Sequence, residues 1–464
     1  MIVGAGEVGY HVIGSLYREG VEIVAVDSDP AILETLRQEF NIRTIQGNAI
    51  DSAILKEACV DEAELFVAVT NYDETNIISC LLAGEAGVHK KIARVKTIDF
   101  GQESSFSDKK DLGIDLIINP YEVAAEHLAS LVANPQVTDY TEFLSGRLQL
   151  LRVPIAAENP IAGRSVLDFG QQSQIPQTLI ALIQRKGQPF IPSADEIIQA
   201  GDEVYFFCER SQKKRLFKYL KLSSRPSKRV YINGGGHIGF ALAKRLEKLS
   251  LDVRILEISE EQCEWLSQYL DKTLVLHEDG SDSKALQSEG IEHADFFISV
   301  TAEDQINVVS CMLAKLNGAS KVVALTKQPE LIPMLMTGTS IDIAFSPRLL
   351  TARNILRFVR GHNLESFFMF PNSDIELLEL KLKPGMRCNS GPISDLNLPS
   401  GVLIGAVKRG DGIFVPRGND HLAAGDTIML LQQRRNRRFS RAFFLDSGEP
   451  YQLSDAGAAT QNGA

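Results

Sequence analysis

The chain is written twice. Gly4-Ala5-Gly6-Glu7-Val8-Gly9 returns in the second half as Gly234-Gly235-Gly236-His237-Ile238-Gly239. Asp27 follows Gly9 by 18 residues, and Glu257 follows Gly239 by the same 18. Val69-Thr70 with Asp73, Asn76, Ser79 and Cys80 matches Val300-Thr301 with Asp304, Asn307, Ser310 and Cys311. Ile114-Asp115 with Pro120 matches Ile341-Asp342 with Pro347. Markers in step over more than a hundred residues are a tandem duplication, and the fold must be one unit built twice.

Each copy contains two different segments. After the first, residues 148–219 read as short strands and turns: Leu179–Ile183, Arg185-Lys186-Gly187, Pro189–Pro192, then Gly201-Asp202 before the apolar run Glu203–Phe207. The second copy repeats this with Leu403–Val407, Arg409-Gly410-Asp411-Gly412, Ile413–Pro416, and Gly425-Asp426 before Thr427–Leu430. Gly-Asp ahead of a strand is a turn, with Gly supplying positive φ and Asp capping nearby backbone. At about 100–200 residues per domain, 464 residues make three or four domains. The expected order is N-lobe, C-lobe, N-lobe, C-lobe, at 1–120, 138–222, 228–348 and 366–446, with a small polar disordered tail at 447–464. Ala133-Asn134-Pro135 and Phe370-Pro371-Asn372-Ser373 are the expected hinges, and 222–228 is the linker between copies.

Charge and composition exclude several functions. The formal net charge is −11, which disfavours nucleic acid as a partner, because phosphate neutralisation supplies most of that affinity. No run reaches the roughly 18–20 apolar residues of a membrane span. No basic region precedes an apolar core at the start, so there is no signal-peptide pattern. A cytoplasmic location is expected, with any membrane role peripheral. Six widely spaced cysteines without CxxC suggest buried thiols, with no metal site and no redox pair.

The repeated glycine motif carries the chemistry. Val21–Val26 and Leu251–Leu256 read as strands, and Tyr10–Arg18 and Phe240–Leu249 as the helices before them. That places each GxGxxG in a β-loop-α-β unit, the context for dinucleotide binding. Gly4 and Gly234 make the tight turn. Gly6 and Gly236 admit backbone close to a pyrophosphate. Gly9 and Gly239 let helix pack on strand. The helix N-terminus then offers free amides and a positive dipole end. Asp27 and Glu257 end the second strand, where a carboxylate binds ribose hydroxyls and repels a 2′-phosphate, favouring NAD(H) or an adenine nucleotide over NADP. Only Met1-Ile2-Val3 precede Gly4, so the first strand is clipped or starts upstream.

Thr70-Asn71 ends another strand, Leu65–Val69, at the ligand edge of the sheet; Thr70 and Thr301 are read equally as ligand contacts or as helix N-caps. Arg94, at the end of Lys91–Val95, is a phosphate candidate. The second copy has Ala302 and Leu325 at the places of Asn71 and Arg94, which makes its site weaker or different. No nucleophile-base pair and no Tyr-x-x-x-Lys is present, so no catalytic residue is assigned. The basic clusters Lys213-Lys214-Arg215 and Arg434–Arg438 read as solvated helix faces, or as contacts for an acidic partner or lipid headgroups.

Gly4–Gly9 with Asp27, Val69-Thr70-Asn71 and Arg94, a Gly201-Asp202 C-lobe, and the same plan again resemble the tandem RCK (regulator of potassium conductance) family. The resemblance implies an α/β fold of two tandem RCK modules, each a Rossmann-like parallel-sheet N-lobe followed by a small α+β C-lobe. It implies a non-enzymatic regulatory subunit that binds NAD(H), or ATP and ADP as alternative ligands. It also implies a homo-oligomer, a tetramer carrying eight modules, on the cytoplasmic face of the inner membrane. There it would gate a Trk-type potassium-translocating membrane subunit. The rivals are an NAD-dependent oxidoreductase, which needs a substrate domain with an acid-base residue, and a nucleotide sensor with a non-channel partner.

Overall fold

The computed structural model describes residues 1–18, 20–97, 112–144, 146–222, 227–359, 364–370, 373–389 and 391–444. The expected tail, the centre of the linker and Pro371-Asn372 lie outside the described residues.

The first N-lobe runs β1 Ile2–Val3, α1 Glu7–Tyr17, β2 Val24–Asp27, α2 Pro30–Glu39, β3 Arg43–Gln46, α3 Ser52–Glu57, β4 Leu65–Ala68, α4 Asp73–Glu85, β5 Lys90–Arg94, β6 Leu116–Ile118 and α5 Pro120–Ala133. Its strands stand in the order β3-β2-β1-β4-β5-β6, and every strand pairing is parallel. That is the doubly wound dinucleotide order, with its switch point between β1 and β4. Strands buried on both faces read as continuous apolar runs, and Phe66, Val67 and Ala68 of β4 are fully buried.

The first C-lobe comprises β7 Asp139–Phe143, β8 Leu148–Pro154, α6 Val166–Ser173, β9 Thr178–Arg185, β10 Gln188–Phe190, β11 Glu203–Glu209 and α7 Lys213–Tyr219. Its sheet, β10-β9-β11-β8-β7, is antiparallel. The Gly-Asp turn forms as expected: Gly201 has φ +91, and Asp202 Oδ2 accepts from Gln199 N at 2.8 Å. The structure adds a partner that spacing did not indicate. Arg185 reaches Asp202 through Nε and Nη2, both at 2.9 Å. Arg409 and Asp426 repeat the pair at 2.8 and 2.7 Å.

The second copy follows the same plan. Its N-lobe is β12 Arg229–Asn233, α8 His237–Leu246, β13 Asp252–Glu257, α9 Glu260–Tyr269, β14 Leu274–His277, α10 Ser283–Ser288, β15 Phe296–Ser299, α11 Asp304–Leu316, β16 Lys321–Leu325, α12 Ile332–Gly338, β17 Ile343–Phe345 and α13 Pro347–Val359. The order β14-β13-β12-β15-β16-β17 matches the first sheet strand for strand. Its C-lobe is β18 Leu364–Met369, β19 Ile375–Lys381, β20 Val402–Arg409, β21 Gly412–Phe414, β22 Thr427–Gln433 and α14 Arg437–Phe444.

The two copies interlock. Helix α5 leaves the first N-lobe and buries Ala124, Ala125, Leu128 and Leu131 in the core of the second, beside Leu242 and Leu246 of α8. Helix α13 returns the arrangement, placing Ala352, Ile355 and Leu356 against Val12, Ile13 and Leu16 of α1. The C-lobes meet through their sheets: Phe143, Leu182, Tyr205 and Phe207 share a core with Phe370, Leu377, Met429 and Leu431. The expected hinge at Asn134 is pinned, because Lys213 Nζ donates to its Oδ1 at 2.7 Å and its own Nδ2 caps Ser130 O. The second basic cluster is likewise partly internal: Arg437 and Arg434 both pair with buried Glu376. The six cysteines are free; burial pushes the Cys80 thiol up to about 12 and the Cys208 thiol to about 11.

Candidate nucleotide sites

The three motif glycines of each loop differ in what they face. Gly4 has φ +88, a region that favours glycine, and a Cβ there would lie 2.6 Å from Thr70 N. A Cβ on Gly9 would stand 1.9 Å from Gly4 O, inside the helix–loop contact. Gly6 has no protein atom within 4 Å of a Cβ position. The second loop repeats the set: Gly234 at φ +104 against Thr301, Gly239 against Gly234 O at 2.0 Å, and Gly236 open. Gly235 replaces Ala5 because Leu266 Cδ1 would meet its Cβ at 2.4 Å.

Helix α1 begins at Glu7, three residues before the expected start at Tyr10, with Gly6 as its N-cap. Gly6 and Gly236 supply no side-chain cap, so the first-turn amides of α1 and α8 lack a capping side chain. Val8 is buried under the first loop, and Ile238 packs on the second lobe's core. The carboxylates expected at the ribose end are tied to the loops. Asp27 Oδ2 accepts from Ala5 N at 2.6 Å and Oδ1 from Asp29 N at 2.9 Å. Glu257 Oε2 accepts from Gly235 N at 2.7 Å and Oε1 from Ser259 N at 2.9 Å.

Thr70 does not cap α4; Tyr72 holds that position without a side-chain bond. Thr70 is clamped by Asn76, whose Oδ1 accepts from Thr70 N at 2.8 Å and Oγ1 at 2.7 Å. Asn76 Nδ2 donates to Thr70 O at 3.1 Å and Arg94 O at 2.7 Å, stitching β4 to β5. Asn307 repeats these bonds with Thr301 and Leu325. In the second copy the clamp extends inward through Ser299 and Asn233, where the first copy has Ala68 and Val3.

Arg94 is the unusual group. Among the described residues its Nη1 makes only long contacts, 3.5 Å to Thr70 O and 3.4 Å to Asn71 Oδ1. Its Nε is buried and has no partner among the described residues. Burial lowers the pKa of Arg94. Lys96, which sequence reading passed over, donates to Asn71 O at 2.8 Å; burial and then the Arg94 charge lower its pKa. Period-two spacing on one strand end was the signal that could have found it. Both cations reach the Thr70-Asn71 segment, which borders the loop at Gly4, and two partly desolvated cations there suit an anion such as a nucleotide phosphate. In the second copy Leu325 is buried and contributes no donor.

The first loop also receives a residue from the other copy: Arg348 of α13 forms an ion pair with Glu7. His237, at the place of Glu7, stacks on Tyr121 of α5, with ring centroids 4.7 Å apart and 19° between planes. Among the described residues no group of three or more His, Cys, Asp or Glu could hold a metal ion.

Family comparison agrees with this architecture. The TrkA-N domain model matches residues 1–120 and 230–347, and the TrkA-C domain model matches 150–221 and 377–441. The Trk system potassium uptake protein TrkA of Halomonas elongata is 33% identical over 96% of this chain and 98% of its own length. The protein of the same name from Haemophilus influenzae is 30% identical over 94% and 96%. Among solved structures, the GsuK RCK domain superposes with a TM-score of 0.60 at 20% identity, covering 94% of this chain and 92% of that one. The GsuK channel bound to NAD gives 0.60 at 19%, covering 95% and 78%. These two likenesses concern the fold. With two N-lobes and two C-lobes in alternation, the chain belongs to the TrkA family, built as two TrkA-N/TrkA-C modules in tandem.

Proposed function

We propose that this protein is the regulatory subunit of a Trk-type potassium uptake system, and that nucleotides bound in its N-lobes set the state of a separate membrane-spanning subunit. The observation that carries the reading is the first site itself. Arg94 has a buried Nε with no partner among the described residues, Lys96 reaches the same Thr70-Asn71 segment, and that segment borders the glycine loop at Gly4. Such a site has a place for phosphate and none for a chemical step. NAD(H), ATP and ADP are the ligands, held at Gly4–Gly9, Asp27, Thr70-Asn71 and Arg94. The second loop, Gly234–Gly239 with Glu257 and Thr301, binds more weakly or takes a different nucleotide.

No helix among the described residues is long and apolar enough to cross a membrane, which supports a peripheral role beside a translocating partner. The names of the relatives at 30–33% identity supply potassium uptake as the process. In this reading the lobe limits are 1–120, 138–222, 228–348 and 366–446. The chain assembles as a homo-oligomer, a tetramer with eight modules, on the cytoplasmic face of the membrane. A ligand moves the gate only as far as its affinities for the two states differ. Potassium flux through the membrane subunit, with and without this protein at controlled ATP, ADP and NADH, tests it. Flux that ignores both the protein and the nucleotides refutes it. Steady NADH oxidation with a metabolite would favour an oxidoreductase instead.

A further inference from the structure

The first glycine loop carries a carboxylate where an anion is expected. Glu7 is the first residue of α1, the helix whose uncapped amides face the open side of Gly6. A carboxylate there opposes a phosphate, by a Coulomb term that grows with the charge on the ligand. In this structure that charge is balanced from the other half of the molecule. Arg348, the second residue of α13, forms an ion pair with Glu7 and donates from Nη1 to Lys327 O at 3.1 Å. No partner is recorded among the described residues for its remaining nitrogens. The pair is accessible: side-chain exposure is 32% for Arg348 and 51% for Glu7. Such pairs add little to stability and open readily.

The second loop has the same geometry and different chemistry. Tyr121 is the second residue of α5, as Arg348 is of α13. Its ring stacks on His237 instead of forming an ion pair. Among the described residues, then, only the first loop has a charge supplied to it across the N-lobe pair.

We propose that Arg348 is a positioning residue of the first nucleotide site: it cancels the charge of Glu7, and so makes affinity for an anionic ligand depend on how the second N-lobe is seated on the first. When α13 is seated along α1, the loop is electrically neutral and accepts phosphate. When α13 shifts, Glu7 is unmasked and phosphate is disfavoured. By reciprocity a nucleotide in the first site holds α13 in place. This rests on the reading that phosphate lies at the Gly4–Gly9 loop.

The test is titration calorimetry of the full chain with ADP, in a Gly236→Val background that silences the second loop. Among the described residues no atom lies within 4 Å of the Gly236 Cβ position, so that background is expected to fold, which its thermal unfolding checks. Arg348→Ala is expected to weaken ADP by about tenfold, or about 1.4 kcal/mol. Arg348→Lys keeps the charge and most of the affinity. Adding Glu7→Gln to Arg348→Ala removes the charge that needed balancing, and affinity is expected back within about threefold of the starting protein. Unchanged affinity in Arg348→Ala overturns the proposal. So does a double variant as weak as Arg348→Ala, which would mean that the arginine touches the ligand or supports the fold. If the Gly236→Val protein itself fails to bind ADP, the reading of the first loop falls and takes this inference with it.

Discussion

Replacing Gly6 by Val separates ligand space from folding space. Gly6 has φ −59 and ψ −173, a negative φ at the border of the β region that does not call for glycine. A Cβ there meets no protein atom within 4 Å. The folding cost is therefore that of an apolar residue at a helix N-cap, about 1 kcal/mol, or roughly 2–4 °C in Tm. Binding has no such tolerance. A phosphate at this loop takes charge-assisted hydrogen bonds from the first-turn amides, about 1.5–3 kcal/mol each. A valine that holds the phosphate off two of them costs at least about 3 kcal/mol, more than roughly a hundredfold in Kd. Gly9→Val is the contrast, since its Cβ falls 1.9 Å from Gly4 O. That variant is expected to lose the N-lobe altogether. Calorimetric titration with ADP and thermal unfolding, on both variants, read the two effects separately. A folded Gly6→Val protein with wild-type affinity would refute the placement of phosphate at this loop.

Arg94→Leu is expected to weaken the first site by about tenfold or more and leave the second nearly unchanged; equal losses at both sites, seen by calorimetry, count against the difference drawn from Leu325. With Asp27 at the ribose end, as we propose, NADH is expected to outcompete NADPH in a displacement titration, and equal affinities would move the ribose elsewhere. Burial of His127 in α5, beside Phe345, lowers its imidazole to about 4. The unfolded chain then binds the extra proton first, so this contribution to stability is complete above about 6.5 and lost as pH falls toward 4. Denaturant midpoints for the wild type should drop more steeply across that window than those of His127→Gln. Exposed apolar residues on α4 and α11, including Ile78, Leu81, Val309 and Met312, support assembly between chains. Light scattering at micromolar concentration should report an oligomer, and a monomer would defeat the proposed tetramer.

The duplication and both loops were legible in the sequence because each is written locally: glycines at fixed spacing, an acid 18 residues on, and strands of apolar residues. The parallel-sheet N-lobes and small C-lobes followed from the same patterns and from the family resemblance. The helices start at Glu7 and His237, three residues ahead of Tyr10 and Phe240, because the last three residues of each glycine motif are also the first of a helix and the glycine spacing masks the apolar Val8 and Ile238. Asn76 and Asn307 stood out as repeat markers, but their clamp needs two strands and a helix to converge, which spacing does not encode. The same limit hid Arg185 on Asp202 and Arg348 on Glu7. Exchange of α5 and α13 was illegible for a simpler reason. An amphipathic helix specifies that it must be covered, and says nothing of which lobe covers it.

That exchange has a consequence for synthesis of the chain. The core of the first N-lobe includes Ala352, Ile355 and Leu356, so a ribosome must pass well beyond the second copy's Gly loop before α1 acquires its cover. The first C-lobe, in contrast, contains within residues 137–222 every member of one of its own apolar clusters. The emerging chain thus completes one face of its first C-lobe while the other face awaits the second C-lobe and the lobe ahead still waits for α13. A nascent chain released near residue 222 would carry the apolar faces of α1 and α5 into solution, making early termination a route to aggregation and chaperone capture.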